Sequence, residues 1–244
     1  MSFKNVINYI DGQTDYGTEN FCYFLYALVK MEQPDNVVEL GVGAGISSCM
    51  MAQAMKENGK GVVWGIDNGI QHQKEMGKKG SYEEWLNKLL KELELEKFIN
   101  FRNVTLTDKQ FFDPQKPIDL LFVDAGNTGA STCVNLLRYY LPKMSPYSSI
   151  FIDRSSTIHH AYLMLEQIIE YFKDQKIPAC VSSGLNDIDI DKIHKLVHTS
   201  KFTLVHLTET EKAKKVAHQN STAWIKIEPL DLFHHNKVLT WEFE

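Results

Sequence analysis

"VVELGVGAGISSCMMA", residues 37–52, is the stretch that decides the fold. A short apolar run carries an acid at Glu39, glycines stand at 41, 43 and 45, and Ile46, Met50, Met51, Ala54 and Met55 then recur at helical spacing. A brief β-branched run bounded by glycines has the form of a strand covered on both faces, and the periodic segment after it reads as a helix. Strand, glycine turn and helix open a unit in which ligands sit beyond the carboxyl end of the strand. Glycine lets backbone approach such a ligand closely because no Cβ intervenes. A dinucleotide fingerprint needs its third glycine at position 46, which is Ile46, and no Gly-Lys-Ser/Thr follows for a phosphate loop. The turn therefore points to a ligand edge and away from those two cofactor classes.

Working outward, the same alternation repeats. Residues 18–32 read as a helix with Thr18 as its cap, and "PDN" at 34–36 breaks it. "VVWGID" (62–67) is a second strand, and Ser81 with Glu84 forms a capping box for a helix over 81–96. "FINFRNVT" (98–105), "IDLLFVDA" (118–125) and "SSIFIDR" (148–154) are further strands, separated or followed by helices over 131–144 and 157–175. "KFTLVHLT" and "STAWIKIEPL" in the tail alternate as strands joined by a polar connection. These elements predict an α/β fold: a doubly wound, mostly parallel seven-stranded sheet with helices on both faces and an antiparallel C-terminal strand pair. With no repeat or linker, one domain over 1–244 is expected: a helical extension over 1–33, a cofactor-binding core over 34–175 and antiparallel strands over 176–244.

Composition narrows the function classes. The 244 residues are 43% hydrophobic, enough for one well-filled core, and the net charge of −5 supplies no basic field for a nucleic-acid backbone. Four cysteines, at 22, 49, 133 and 180, form neither a CxxC nor a zinc-type cluster and read as reduced, buried thiols. No segment has signal-peptide or membrane-span character, so a cytoplasmic protein without nucleic-acid or membrane partners is expected, with self-association left open.

Asp67 ends the second strand, where a carboxylate is placed to accept hydrogen bonds from ribose hydroxyls. Together "ELGVGAG" and "VVWGIDN" resemble the first two motifs of the class I, Rossmann-like methyltransferases that use S-adenosylmethionine (SAM). "IDLLFVDAGN", "LPKMSPYSSIFIDR" and "GISSCMMA" extend the resemblance, in the style of small-molecule O-methyltransferases, over roughly residues 18–175. The resemblance implies that Gly41, Gly43 and Gly45 approach the cofactor, Glu39 serves its methionine end and Ser47 the methionine carboxylate. It further implies that Asp67 takes the ribose, Asn68 lies beside the adenine, and Asp124 borders the cofactor. SAM is the expected cofactor; its sulfonium is a cation, which suits a turn flanked by acids.

Methyl transfer to a hydroxyl also needs the proton removed, by a base or with a divalent metal. Asp124 and Asp153 end adjacent strands and face each other as catalytic candidates, or as the oxygen ligands of Mg²⁺ or another divalent cation. In the metal-dependent relatives an Asp-Asn pair follows the fifth strand; here it is Asp153-Arg154, which removes an oxygen ligand and adds a positive charge. Asn127 stands where many relatives carry histidine, and an amide cannot serve as a base. His159 is the remaining general-base candidate, with His160 beside it, against a solvated histidine in a first helical turn. Arg154 suits an anionic group on the substrate or a structural ion pair. The lysine-bearing segment 71–80 reads as a lid or a solvated loop. No Asn/Asp-Pro-Pro-aromatic turn or Pro-Cys nucleophile follows the fourth strand, which argues against nucleobase methylation. The expected activity is methyl transfer to a small-molecule acceptor, at a hydroxyl oxygen; a protein or peptide methyltransferase and a non-catalytic SAM-binding protein are the alternatives. Some relatives in this fold instead catalyse hydroxylation or decarboxylation.

Overall fold

Largely apolar runs, buried on both faces of the sheet, make the central strands of this chain. A computed structural model describes residues 6, 19–70, 81–106, 112–125, 129–154, 159–208 and 221–233. Its strands are β1 (Asn36–Leu40), β2 (Val62–Asp67), β3 (Ile99–Asn103), β4 (Ile118–Val123), β5 (Met144–Asp153), β6 (Ser200–Thr208) and β7 (Ser221–Pro229). They form one seven-stranded sheet in the order β3-β2-β1-β4-β5-β7-β6. All neighbours are parallel except that β7 runs antiparallel to both β5 and β6. The expected doubly wound sheet is present, and its antiparallel character comes from β7 alone. Order reverses between β1 and β4, which places the ligand edge at the ends of β1, β2, β4 and β5.

The helices are α1 (Glu19–Glu32), α2 (Ile46–Asn58), α3 (Tyr82–Leu93), α4 (Ala130–Tyr140), α5 (His159–Lys173), the short α6 (Ala179–Ser182) and α7 (Asp187–Thr199). The two-residue period of a strand divides the core between the faces. Val37, Leu120, Phe122 and Phe151 pack with residues of α1 and α2, whereas Val38, Leu121, Val123 and Ile152 pack with residues of α4, α5 and α7. Glu39 shares the parity of Val37 and so faces α2, which is buried from Ile46 through Met55. α1 packs over α2, Asn58 bonds back to the Val29 carbonyl at 2.9 Å, and Glu32 pairs with the buried Lys226 of β7 at 2.5 Å. The N-terminal helix is thereby tied into the core. Ser81 and Glu84 form the capping box that the sequence predicts for α3.

The segment before β6 departs from expectation. Where strands alone are expected after residue 175, α6 and the thirteen-residue α7 intervene. Asn186 caps α7 by accepting from the Asp189 amide at 2.9 Å, but its fully buried stripe is only Ile193, Leu196 and Val197. Asp187, Asp189 and Asp191 before those positions, and His194 and Lys195 between them, dilute the helical period.

Candidate active site

The β1–α2 turn is built around two carboxylates. Val42 and Gly43 donate their backbone N–H groups to Oδ2 of Asp67 at 2.8 and 2.9 Å, and Gly69 donates to Oδ1 at 2.7 Å. Asp67 therefore shapes the turn, and with about four acceptor sites on a carboxylate it keeps room for a further donor. Gly41 carries φ 89° and packs on the residue after β4: a Cβ there would lie 2.3 Å from the Asp124 carbonyl oxygen. Only glycine satisfies both the backbone angle and that approach. Asp124 in turn donates its N–H to the Leu40 carbonyl at 2.8 Å, which locks the two strand ends together.

Glu39 is fully buried and accepts hydrogen bonds from the hydroxyls of both Ser47 and Ser48 at the start of α2. Burial pushes its carboxyl up to about 7, against the two serine donors that favour the ionised form, and the nearby negative charge of Asp67 adds to the rise. The single hydroxyl proton of Ser47 is directed at Glu39, so that hydroxyl is not also a donor to a ligand carboxylate in this arrangement. α3 closes over the turn from the other side. Tyr82 donates its phenol to the Gly43 carbonyl at 3.0 Å and Trp85 its indole N–H to the Ala44 carbonyl at 3.4 Å. Beside Asp67 lies a cavity of about 160 Å³, lined in part by Tyr82, Phe101, Arg102 and Asn103. Asn68 is half-buried and accepts from the Ile70 amide at 3.0 Å.

The ends of β4 and β5 hold a second acid pair, with a cation. Arg154 follows β5 with a left-handed backbone (φ 60°), and its N–H donates to the Ser221 carbonyl of β7 at 2.9 Å. Its Nη2 lies 3.7 Å from Asp124 Oδ1 and its Nε 3.4 Å from Asp153 Oδ2. Thr222 of β7 donates its hydroxyl to Asp153 Oδ1 at 3.0 Å. Burial holds Asp124 well above the ordinary carboxylate range, the adjacent Asp153 adds to this, and Arg154 opposes it. A hydrogen bond between the two acids also favours the proton on Asp124. As a metal site the arrangement fits poorly: among the described residues no group of three or more His, Cys, Asp or Glu is placed to hold an ion, and a guanidinium already faces both acids.

The expected residues thus fall into two clusters on one sheet edge. Glu39, Gly41, Gly43, Gly45, Ser47, Asp67 and Asn68 gather at the glycine turn, and Asp124 joins it to Asp153 through the Gly41 contact. His159 opens α5, but its side chain lies outside the described residues, as do Asn127, Thr18 and the 71–80 segment. His160 is exposed on α5. Ser48, Tyr82, Trp85 and Thr222 are site residues that sequence reasoning missed. Of these only Ser48 had a local signal, a second hydroxyl beside Ser47 opening the helix that follows a buried acid.

A family described as "Methyltransferase domain" matches residues 38–155, from β1 through the end of β5. Similar solved structures include the O-methyltransferase from Bacillus cereus in complex with SAH, at 12% identity and a TM-score of 0.51, covering 93% of this chain and 90% of that one. The O-methyltransferase TomG from Streptomyces achromogenes, involved in tomaymycin synthesis and solved with SAM, aligns at 13% identity and a TM-score of 0.50, covering 93% and 87%. The SAH-bound methyltransferase PaMTH1 of Podospora anserina aligns at 9% identity and a TM-score of 0.52, covering 92% and 86%. No curated protein sequence matches the chain. The sheet order and the family match together define a Rossmann-like transferase fold. Residues 38–155 match a methyltransferase-domain family, and the whole described sheet has the fold of solved SAM-dependent methyltransferases. Among the described residues no helix is long and apolar enough to cross a membrane.

Proposed function

We propose that the protein transfers a methyl group from SAM to a hydroxyl oxygen of a small molecule. The observation that carries this reading is the acid-lined glycine turn. Glu39 and Asp67 are held by serine hydroxyls and backbone N–H groups, and among the described residues neither is ion-paired. That leaves their negative charge for a cationic ligand. Glu39 receives the methionine end and its ammonium, Asp67 accepts from a ribose hydroxyl, and the first N–H groups of α2, which precede its first intrahelical bond, suit the methionine carboxylate.

At the other cluster, Asp124 and Asp153 flank the space for the acceptor. When bound, the cofactor supplies an electrophilic methyl group on sulfur. Asp124 would take the proton of an acceptor hydroxyl held beside that methyl group. Alignment supplies much of the rate in methyl transfer. Because Asp124 holds its own proton above the usual carboxylate range, its base form gains population as pH rises, and so does turnover. Isothermal titration with SAM, then incubation of labelled SAM with a metabolite extract and with a protein lysate, tests the proposal. Binding together with label on low-mass products supports it. Label on protein redirects it to side-chain methylation, and no SAM binding overturns it.

A further inference from the structure

We propose that Arg154 is the resident cation of the acceptor site, and that its guanidinium takes the place between the ends of β4 and β5 where a divalent metal would bind. Three observations carry this. The guanidinium reaches both acids at once, 3.7 Å from Asp124 through Nη2 and 3.4 Å from Asp153 through Nε. At these distances the contacts are ion pairs and not hydrogen bonds, and a planar, delocalised cation can face two carboxylates at once. The arginine is also anchored at its backbone by the bond to the Ser221 carbonyl, in a left-handed conformation that a non-glycine residue rarely adopts. Such a conformation persists where the surroundings fix it, and β7 is the element that does so here. Finally, oxygen ligands are scarce. Asp153 Oδ1 accepts from Thr222 and no third acid is brought up among the described residues, so the chain offers an ion few oxygens beyond the two carboxyls that already face Arg154.

Charge gives the same answer. The two carboxyl groups converge on one space, and the guanidinium facing both offsets negative charge there. A divalent ion in that space would lie within a few ångströms of the guanidinium and meet like-charge repulsion. The site is then permanently charged by the chain itself, independent of metal supply. This inference concerns cation occupancy and stands apart from the identity of the methyl acceptor, so either can fail alone.

The test is a Mn²⁺ titration of the full chain, followed by loss of the free-ion signal in electron paramagnetic resonance. Wild-type protein is expected to leave the signal unchanged to millimolar Mn²⁺. Arg154→Asn, which removes the guanidinium and supplies an amide oxygen, is expected to bind one equivalent at least tenfold more tightly, and Arg154→Asn combined with Asp153→Asn to lose it again. Wild-type binding of one Mn²⁺ that disappears in Asp153→Asn overturns the proposal without recourse to any arginine variant. A folded Arg154→Asn that gains no binding overturns it as well. Should Arg154→Asn fail to fold, Arg154→Lys keeps the charge and is expected to fold and to leave the signal unchanged; Asp153-dependent uptake of Mn²⁺ by that variant counts against the guanidinium as occupant.

Discussion

The two ends of the ligand edge each hold a pair of acids, and they are treated in opposite ways. At the β1–β2 end, Glu39 and Asp67 are held by neutral donors, two serine hydroxyls and three backbone N–H groups. At the β4–β5 end, Asp124 and Asp153 face a guanidinium from their own chain. Neutral donors orient a carboxylate and leave its charge in place, whereas a guanidinium offsets it. The first end is therefore suited to a cationic ligand, and the second already holds a cation of its own chain. Acids of the same type at equivalent strand ends thus differ in what they attract.

The largest effect that tests this contrast is at the junction of the two ends. Gly41→Ala forces a Cβ onto the Asp124 carbonyl at an unfavourable φ, and a loss of about 3 kcal/mol in denaturant unfolding is expected. An unchanged midpoint would show that the two strand ends are less tightly joined than the geometry says. Next comes Asp67→Ala, which leaves three turn N–H groups without their acceptor. SAM affinity measured by calorimetry should fall by about a hundredfold, or about 2.7 kcal/mol, with Asp67→Asn intermediate.

Glu39 separates the two ends through pH. Its carboxyl titrates near 7 in the fold against 4.5 as the ordinary value, so the folded chain holds that proton more tightly than the unfolded one. The stability it contributes is full below pH 4.5 and is lost as pH rises through 7, a change of about 3 kcal/mol at most. Binding of a cationic ligand runs the other way. It needs the ionised acid, so SAM affinity should weaken as pH falls below about 7, and Glu39→Gln should flatten that dependence. A wild-type affinity that does not vary between pH 5 and 8 would contradict the assignment. The smallest effect is expected from Tyr82→Phe, which removes the phenol donor to the Gly43 carbonyl and should lower the unfolding free energy by about 1 kcal/mol.

Much of the architecture was legible because central strands announce themselves: β1, β2, β4 and β5 are short apolar runs that end at or beside an acid. The glycine turn was legible too, since its spacing excluded two cofactor classes by a single residue, Ile46. α7 was hidden because an exposed Ile188 and a narrow buried stripe blur its period. The arrangement of Arg154 was out of reach for a different reason. Its partner Asp124 is thirty residues away in sequence, and Ser221 and Thr222, which fix the end of β5, come from a strand nearly seventy residues later. Such contacts depend on which strands become neighbours, and no local pattern carries that information. Ser47 shows the same limit in miniature: its place in the motif was readable, but the direction of its proton was not.

The insertion of β7 between β5 and β6 also sets an order for biosynthesis. The carboxylates and amides of the glycine turn are all supplied by residues 39–69, with α3 added by residue 93. The acid pair waits for Ser221 and Thr222. As the chain leaves the ribosome, the residues of the proposed donor end are made well before Ser221 and Thr222, which complete the proposed acceptor end.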